Sequence, residues 1–348
     1  MTNQIAGAKV GLTGDSFIGF SEESTYGTEV SADSTTQWLH ILSENIGLKK
    51  TIQVPANIDS AFDDVNQVYV GREIVTGDIE FAVPYAGWEV LMLHICGAVS
   101  AGTPDHSAMA QNLFDLTSTG RYRNTNSPSL TIHLSRGVVE TTSNEGIFTF
   151  AGCVITSATL SCDGSNEVRC RISVVGQSQS FSNASSAPTV SYPTEPIANG
   201  TEVLPYWGTG NFPVTAWSIT LDRNIDQDRF FQGNTQTEEP PMGRYSVTGN
   251  FTTEWDNRTL NSNTMLNDWN SGQARLLAFS AVSTDYSGTG GQWKLSFALE
   301  STILNDFPPN LSAQGRTLVT VNFTGYDNAS GTQRNFRIYQ ETEAAYTE

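Results

Sequence analysis

The chain has 348 residues, with 36 acidic against 18 basic side chains and a formal net charge of −18. So acidic a surface excludes a binder that holds nucleic acid by neutralising phosphates, though not a protein that touches DNA without holding it. The length exceeds what one hydrophobic core usually serves, and two domains of about 150 residues each are the natural expectation.

Strand and turn formers are plentiful and apolar runs at helical spacing are few, so the class is mainly β with one short helix per domain. Residues 1–36 lack a strong period, are rich in Gly, Ser and Thr, and read as an arm or loop rather than core. Their start, Met1-Thr2-Asn3-Gln4-Ile5, has no basic region followed by an apolar run, and no stretch approaches the roughly 18 apolar residues of a membrane span. No membrane association is expected, and a chain made and kept in the cytoplasm until assembly is.

The stretch Gly71-Arg72-Glu73-Ile74-Val75-Thr76-Gly77-Asp78 recurs as Gly243-Arg244-Tyr245-Ser246-Val247-Thr248-Gly249-Asn250 without a gap. A repeat this distant reads as two whole domains from one duplication, since solenoid repeats run to roughly 20–50 residues. Val75, Ile79, Phe81 and Val83 alternate with Thr76, Asp78 and Glu80 as in a half-buried strand, and the second copy keeps the pattern with Val247, Phe251 and Trp255 against Thr248, Asn250 and Thr252. The repeated glycines mark a bulge or a close backbone approach.

After that strand, Trp88, Leu91, Met92 and Ile95 form the stripe of an amphipathic helix that Gly97 can end. Residues 100 to about 128 look like a long excursion. Strands resume at 129–134, 147–150, 154–161 and 168–175. Aligning Gly176 with Gly325 sets Cys170 opposite Val319, a core position that a free cysteine fills well. A cross-strand disulfide between Cys162 and Cys170 is the alternative left open, because the two flank the turn at Asp163-Gly164-Ser165-Asn166. The first domain is expected over 37–178, a Ser- and Pro-rich linker over 179–206, the second domain over 207–340 with a weaker helix around Met265, Leu266 and Trp269, and a tail over 341–348.

Glu23-Ser24-Thr25-Tyr26-Gly27-Thr28, followed by Trp38-Leu39-His40-Ile41-Leu42-Ser43-Glu44, resembles the opening of the tail tube (major tail) proteins of long-tailed bacteriophages. The later elements follow in the family's order: a polar loop from Gln53 to Asn66, the Gly77-Asp78-Ile79-Glu80-Phe81 strand, and a short helix ending in glycine. The resemblance implies two tandem tail-tube-like β-sandwich or barrel domains, and a virion structural protein that polymerises as stacked rings into an acidic conduit for DNA. It also implies partners: other copies of the chain, and tail proteins such as the tail-tip initiator, the tape measure and the terminator. DNA would pass without specific binding.

No active site is expected. His40, His94, His106 and His133 sit in no metal or nucleophile motif and read as half-buried side chains on strands, a helix and a loop. Asp105-His106-Ser107 is a loop, because adjacent residues cannot take up triad geometry. Asp63-Asp64 and Glu238-Glu239 are solvated charges. No catalytic, cofactor or metal residue is assigned. The rival reading is a two-domain β-sandwich adhesin or carbohydrate-binding module, which would usually carry an export signal or aromatics clustered on a loop face.

For a conduit, the candidates for the lumen wall are the polar faces of the repeated strands: Asp78 and Glu80 in the first copy, Asn250, Thr252 and Glu254 in the second. A wall of that kind should not pair with phosphates. Candidate assembly contacts are Tyr26, Gly27 and Thr28 in the arm, Phe62, Asp63 and Asp64 in the first long loop, and Phe230 and Phe231 in its counterpart from Asp226 to Pro241. Long loops in compact domains usually have a task. Tail tube proteins with one domain per chain stack as six-membered rings, so a fused pair implies a trimeric ring with pseudo-sixfold symmetry.

Overall fold

The computed structural model describes residues 16–53, 68–107, 109–116, 128–139, 145–184, 188–255, 265–287, 290–306, 309–310, 317–326, 336–343 and 346. In the first half the elements are β1 Ser16–Glu23, β2 Gln37–Leu39, β3 Ser43–Glu44, β4 Gly47–Gln53, β5 Tyr69–Ala82, α1 Glu89–Cys96, β6 Val99–Ala101, β7 Ala110–Asp115, β8 Ser129–Val139, β9 Glu145–Asp163, β10 Arg169–Gly176 and β11 Ser178–Ala184. In the second they are β12 Val203–Trp207, β13 Gly210–Asn211, β14 Val214–Asp222, β15 Ser246–Glu254, α2 Met265–Ser271, β16 Arg275–Tyr286, β17 Gln292–Asp306, β18 Pro309–Asn310, β19 Leu318–Gly325 and β20 Arg337–Thr342. The protein is mainly β, as its composition leads one to expect, and the pairing among these strands is antiparallel throughout.

The alternation read along the repeat holds. Val75, Ile79, Phe81 and Val83 are wholly buried, as are Val247 and Phe251, while Thr76, Asp78 and Glu80 are half-buried and Thr248 and Asn250 exposed. Both strands also sit in the same pairing frame. β5 lies between β4 and β10, with Leu48 and Gly176 opposite Val75. β15 lies between β14 and β19, with Leu221 and Gly325 opposite Val247. The correspondence of Cys170 with Val319 holds as well, since both are fully buried and face Phe81 and Thr253 at matching steps of the two ladders.

The repeated glycines are close approaches. A Cβ on Gly77 would lie 2.3 Å from the Ile46 Cα, and one on its counterpart Gly249 would lie 2.2 Å from the Ser218 carbonyl oxygen. Only hydrogen fits there, which is why a glycine interrupts an otherwise apolar inward face.

A layered arrangement follows from two long strands that each serve two ladders. The N-terminal half of β9 pairs with β8 and β11, and its C-terminal half pairs with β10 and β14. The change of partners falls at Gly152, whose φ of +67° is a left-handed conformation that a side chain would strain. β17 repeats the pattern, pairing first with β16 and β20 and then with β19. One ladder therefore runs β4–β5–β10–β9–β14–β15–β19–β17 across the middle of the chain. It packs through Ile79, Phe81, Ile172, Ile219, Phe251 and Phe323 in the main core, which also takes in α1 and residues of β1, β2, β7, β8, β16 and β20, while Phe17, Trp38 and Ile147 form a second, smaller cluster.

Several expectations are corrected. Ser16–Glu23, in the span read as arm, is a strand with Phe17, Ile18 and Phe20 in the core. It is buried on both faces, so its sequence carries no alternation. The α1 stripe is buried as expected and Gly97 closes the helix at φ +96°, donating to the Leu93 carbonyl, but every residue of α1 is buried and the helix has no solvent face. The excursion holds the β6–β7 hairpin, whose β7 pairs with β20 from the far end of the chain. The segment 179–206 includes most of β11 and all but the last residue of β12, and β20 runs past residue 340 to Thr342. Cys96, Cys153, Cys162 and Cys170 are all free and buried, which removes the disulfide alternative. Burial pushes the Cys162 thiol up to about 11, an environment that keeps it protonated.

Candidate functional site

The outward face of the central ladder is built by period-two geometry from β5, β10, β9, β14, β15 and β19 in turn. Across it run Asp78 and Glu80, Arg169, Arg171 and Ser173, Ser157, Thr159 and Ser161, Ser218, Thr220 and Asp222, Asn250 and Thr252, and Thr320 and Asn322. All five residues proposed for a lumen wall lie on β5 or β15, within this ladder.

Asp78 and Glu80 are not bare charges. Asp78 accepts hydrogen bonds from Ser173 Oγ at 2.6 Å, from Arg171 Nη2 at 2.7 Å and, at its backbone N–H, is tied to Asn45. The Ser173 and Arg171 bonds hold its carboxyl below the ordinary value of 3.8. Glu80 faces Arg169 at 3.5 Å, and Arg169 also binds Glu167 at 2.6 Å. Neither arginine was singled out from the sequence, although Arg169 and Arg171 alternate with core residues in β10 and so had to point outward. Elsewhere the face is a lattice of hydroxyls and amides, with Thr159 bonded to Thr220 at 3.1 Å and Thr252 to Thr320 at 3.0 Å. Asn250 stands between Ser218 and Asn322, and Glu254 ends β15 half-buried opposite Leu318. The arrangement offers short neutral polar groups and locally compensated charges, which give a polyanion no cluster of unpaired cations to bind.

The halves meet edge to edge at β9 and β14, from Ser157 opposite Asp222 to Asp163 opposite Ala216. Just beyond, Arg223 is almost fully buried and reaches across the junction. Its backbone N–H donates to the Thr156 carbonyl at 2.9 Å, and its guanidinium donates to Tyr245 Oη and to the carbonyls of Ile155 and Ile95, the latter in the last turn of α1. A cation at a helix C-terminus is favourably placed.

The loop from Asp226 to Pro241 lies back over the first half. Glu73 N–H donates to the Thr235 carbonyl at 2.8 Å, Gln177 Nε2 donates to the Thr237 carbonyl at 3.2 Å, and Arg72 meets Asp228 at 3.3 Å while lying 4.7 Å over the Phe230 ring. Phe230 thus contacts its own chain, and Phe231 is exposed. Phe62, Asp63 and Asp64 lie outside the described residues.

Tyr26, Gly27 and Thr28 form a turn fixed by Glu23, the first residue of the same phrase. Glu23 is completely buried and accepts from Gly27 N–H at 2.9 Å, Gly152 N–H at 2.9 Å, Ser129 Oγ at 2.5 Å and Thr131 Oγ1 at 2.7 Å. It therefore pins the turn to β8 and to the corner of β9. Burial, more than the nearby thiol and carboxyl groups, raises the Tyr26 phenol well above its ordinary range. Thr28 is exposed.

The histidines take no part in a common site. His133 is buried beside Ser21 at 3.3 Å and burial lowers its pKa, His94 is buried in α1 beside Glu22, and His40 stacks on Tyr192. Asp105, beside His106, pairs instead with Lys294. Among the described residues no group of three or more His, Cys, Asp or Glu side chains is gathered as a metal ion would require.

No curated protein sequence matches the chain. A family model described as phage tail tube protein matches residues 13–326, nearly the whole chain and the whole of the central ladder. This protein therefore belongs to the phage tail tube family and is a structural component of the virion tail.

Proposed function

We propose that the chain is a duplicated tail tube protein that assembles in the host cytoplasm into stacked trimeric rings of pseudo-sixfold symmetry, with the outward polar face of the central ladder lining the channel through which DNA leaves. The observation that carries this reading is the β9–β14 junction. Two halves with the same strand frame are joined edge to edge into one ladder with a single polar face, so three chains supply six such units. Closing the ladder on itself would leave no strand edge open, which favours a ring over a free monomer.

The polar lattice suits a passage. Hydroxyls, amides and paired charges let a polyanion slide without capture, while the net negative charge of the chain opposes adsorption. The tail-tip initiator, tape measure and terminator are the further partners proposed. Cryo-electron microscopy of assembled tubes tests the reading: three chains per ring with both halves in the wall is expected. Six chains per ring, or one half hanging outside the tube, would overturn it.

A further inference from the structure

The junction inside the chain specifies, through the repeat, a junction between chains. Aligned on Gly176 and Gly325, β9 corresponds to β17 and β18, down to a shared irregularity. The β10–β9 register slips between Ser173 and Val174, and the β19–β17 register slips at their counterparts Asn322 and Phe323. Ser157 thereby corresponds to Asp306, Ile155 to Leu304, and Leu160 to Pro309. Aligned on Val75 and Val247, β4 corresponds to β14, so that Lys49 stands for Asp222 and Lys50 for Arg223.

Within the chain, β9 of the first half is covered by β14 of the second. Among the described residues, its counterpart edge at β17 and β18 pairs only inward with β19, and the counterpart of β14, strand β4, pairs only with β5. The β4 edge is stopped by side chains instead: Ile46 N–H donates to Glu44, the Ile46 carbonyl accepts from Arg136, and Leu48 N–H donates to Gln179. Such capping keeps an open edge from pairing at random. Beside it stands exposed apolar surface, Ile52 at 65% and Tyr69 at 52% exposure, of the kind that marks an interaction site.

We propose that a second copy of this chain docks here head to tail, β4 of one chain adding to the β17–β18 edge of the next in the register of the β9–β14 junction. This rests on the ring reading above and supplies its contacts. The register sets Lys49 of one chain opposite Asp306 of the other. Both lack an oppositely charged partner among the described residues, since Lys49 makes no ion pair there and Asp306 binds only Asn322. Lys50, now paired with Glu73 at 2.9 Å, takes the position from which Arg223 reaches the C-terminal turn of α1, and so points at the C-terminal turn of α2 across the new junction. Arg244 is the counterpart of Arg72; it is exposed and, among the described residues, lacks the acid and aromatic ring that the second half brings to Arg72.

The test places cysteines at Lys49 and Asp306 and oxidises assembled tubes, with Ser157→Cys/Asp222→Cys as the control for the junction inside the chain. Directly opposed strand positions are close enough for a disulfide. The expected result is a ladder of covalent oligomers ending at three chains for the first pair and a single-chain disulfide for the control. Tubes that form without the Lys49–Asp306 crosslink, while the control crosslinks, would overturn the docking but leave the ring reading standing. A ladder continuing beyond three chains would overturn the ring and leave the docking standing. Charge reversal gives a second readout that does not need the cysteines. Lys49→Glu and Asp306→Lys alone should each raise the protein concentration needed for assembly by about tenfold, and the double variant should restore it. A double variant no better than either single one would refute the pairing.

Discussion

Removing the Glu23 carboxyl should loosen the whole N-terminal turn. In Glu23→Ala, the N–H groups of Gly27 and Gly152 and the hydroxyls of Ser129 and Thr131 lose an acceptor that is itself completely buried; of the four donors, only Gly27 is half-buried. The hydroxyls can rotate toward other acceptors, whereas the two amides cannot move without moving β9 or the turn. At about 1–3 kcal/mol for each buried donor left unpaired, the two amides cost at most about 2–6 kcal/mol, the half-buried Gly27 amide the smaller share. Relief from burying an acidic group offsets part of this, so about 2–4 kcal/mol is expected. Glu23→Gln keeps the shape and one oxygen but turns an NH2 toward donors, and should fall between alanine and the wild type. Glu29→Ala, which removes only an exposed bond to Ser180, should change stability by less than about 0.5 kcal/mol. Amide hydrogen exchange at Gly27 and Gly152, together with denaturant unfolding of the unassembled chain, measures the effect where it arises. Unchanged protection of both amides in Glu23→Ala, or a loss as small as that of Glu29→Ala, would refute the clamp.

Gly77→Ala and Gly249→Ala should each destabilise by about 1–3 kcal/mol or more, because the added methyl meets backbone in both halves; calorimetry showing either to be neutral would contradict the packing. Asp78 titrates below 3.8 in the folded chain, so its contribution is present above that value and is lost as pH falls through the lowered one. Thermal unfolding followed from pH 7 to pH 3 should show a flatter acid limb in Asp78→Asn, and parallel curves would exclude the contribution. A thiol reagent should find no rapidly reacting cysteine in the native chain and four after unfolding, since all four are buried and free. Tubes carrying Asp78→Lys and Glu80→Lys, which set two new cations beside Arg171 and Arg169, should assemble but eject DNA poorly. Ejection at the wild-type rate would place that face away from the channel.

The inward and outward faces of β5, β10, β15 and β19 were legible in the sequence, because a strand buried on one side must alternate and alternation needs no partner to be seen. The internal repeat, the two helices and the close approach at the repeated glycines were legible for the same reason: each leaves a local trace in residue type. The strand at Ser16–Glu23 was not, since burial on both faces erases the alternation. The meaning of Glu23 was not, since its four donors come from Gly27, Ser129, Thr131 and Gly152, and the last three are far away in the chain. The sequence likewise marked Asp78 and Glu80 as outward acids but could not show Arg171 and Arg169 beside them, because which strand lies next to β5 is decided by packing across about 90 residues. Local periodicity determined which side chains face out of the ladder; only the tertiary pairing of β9 with β14 and of β7 with β20 decided which residues share one surface and which strand edges, among the described residues, are left without a partner strand.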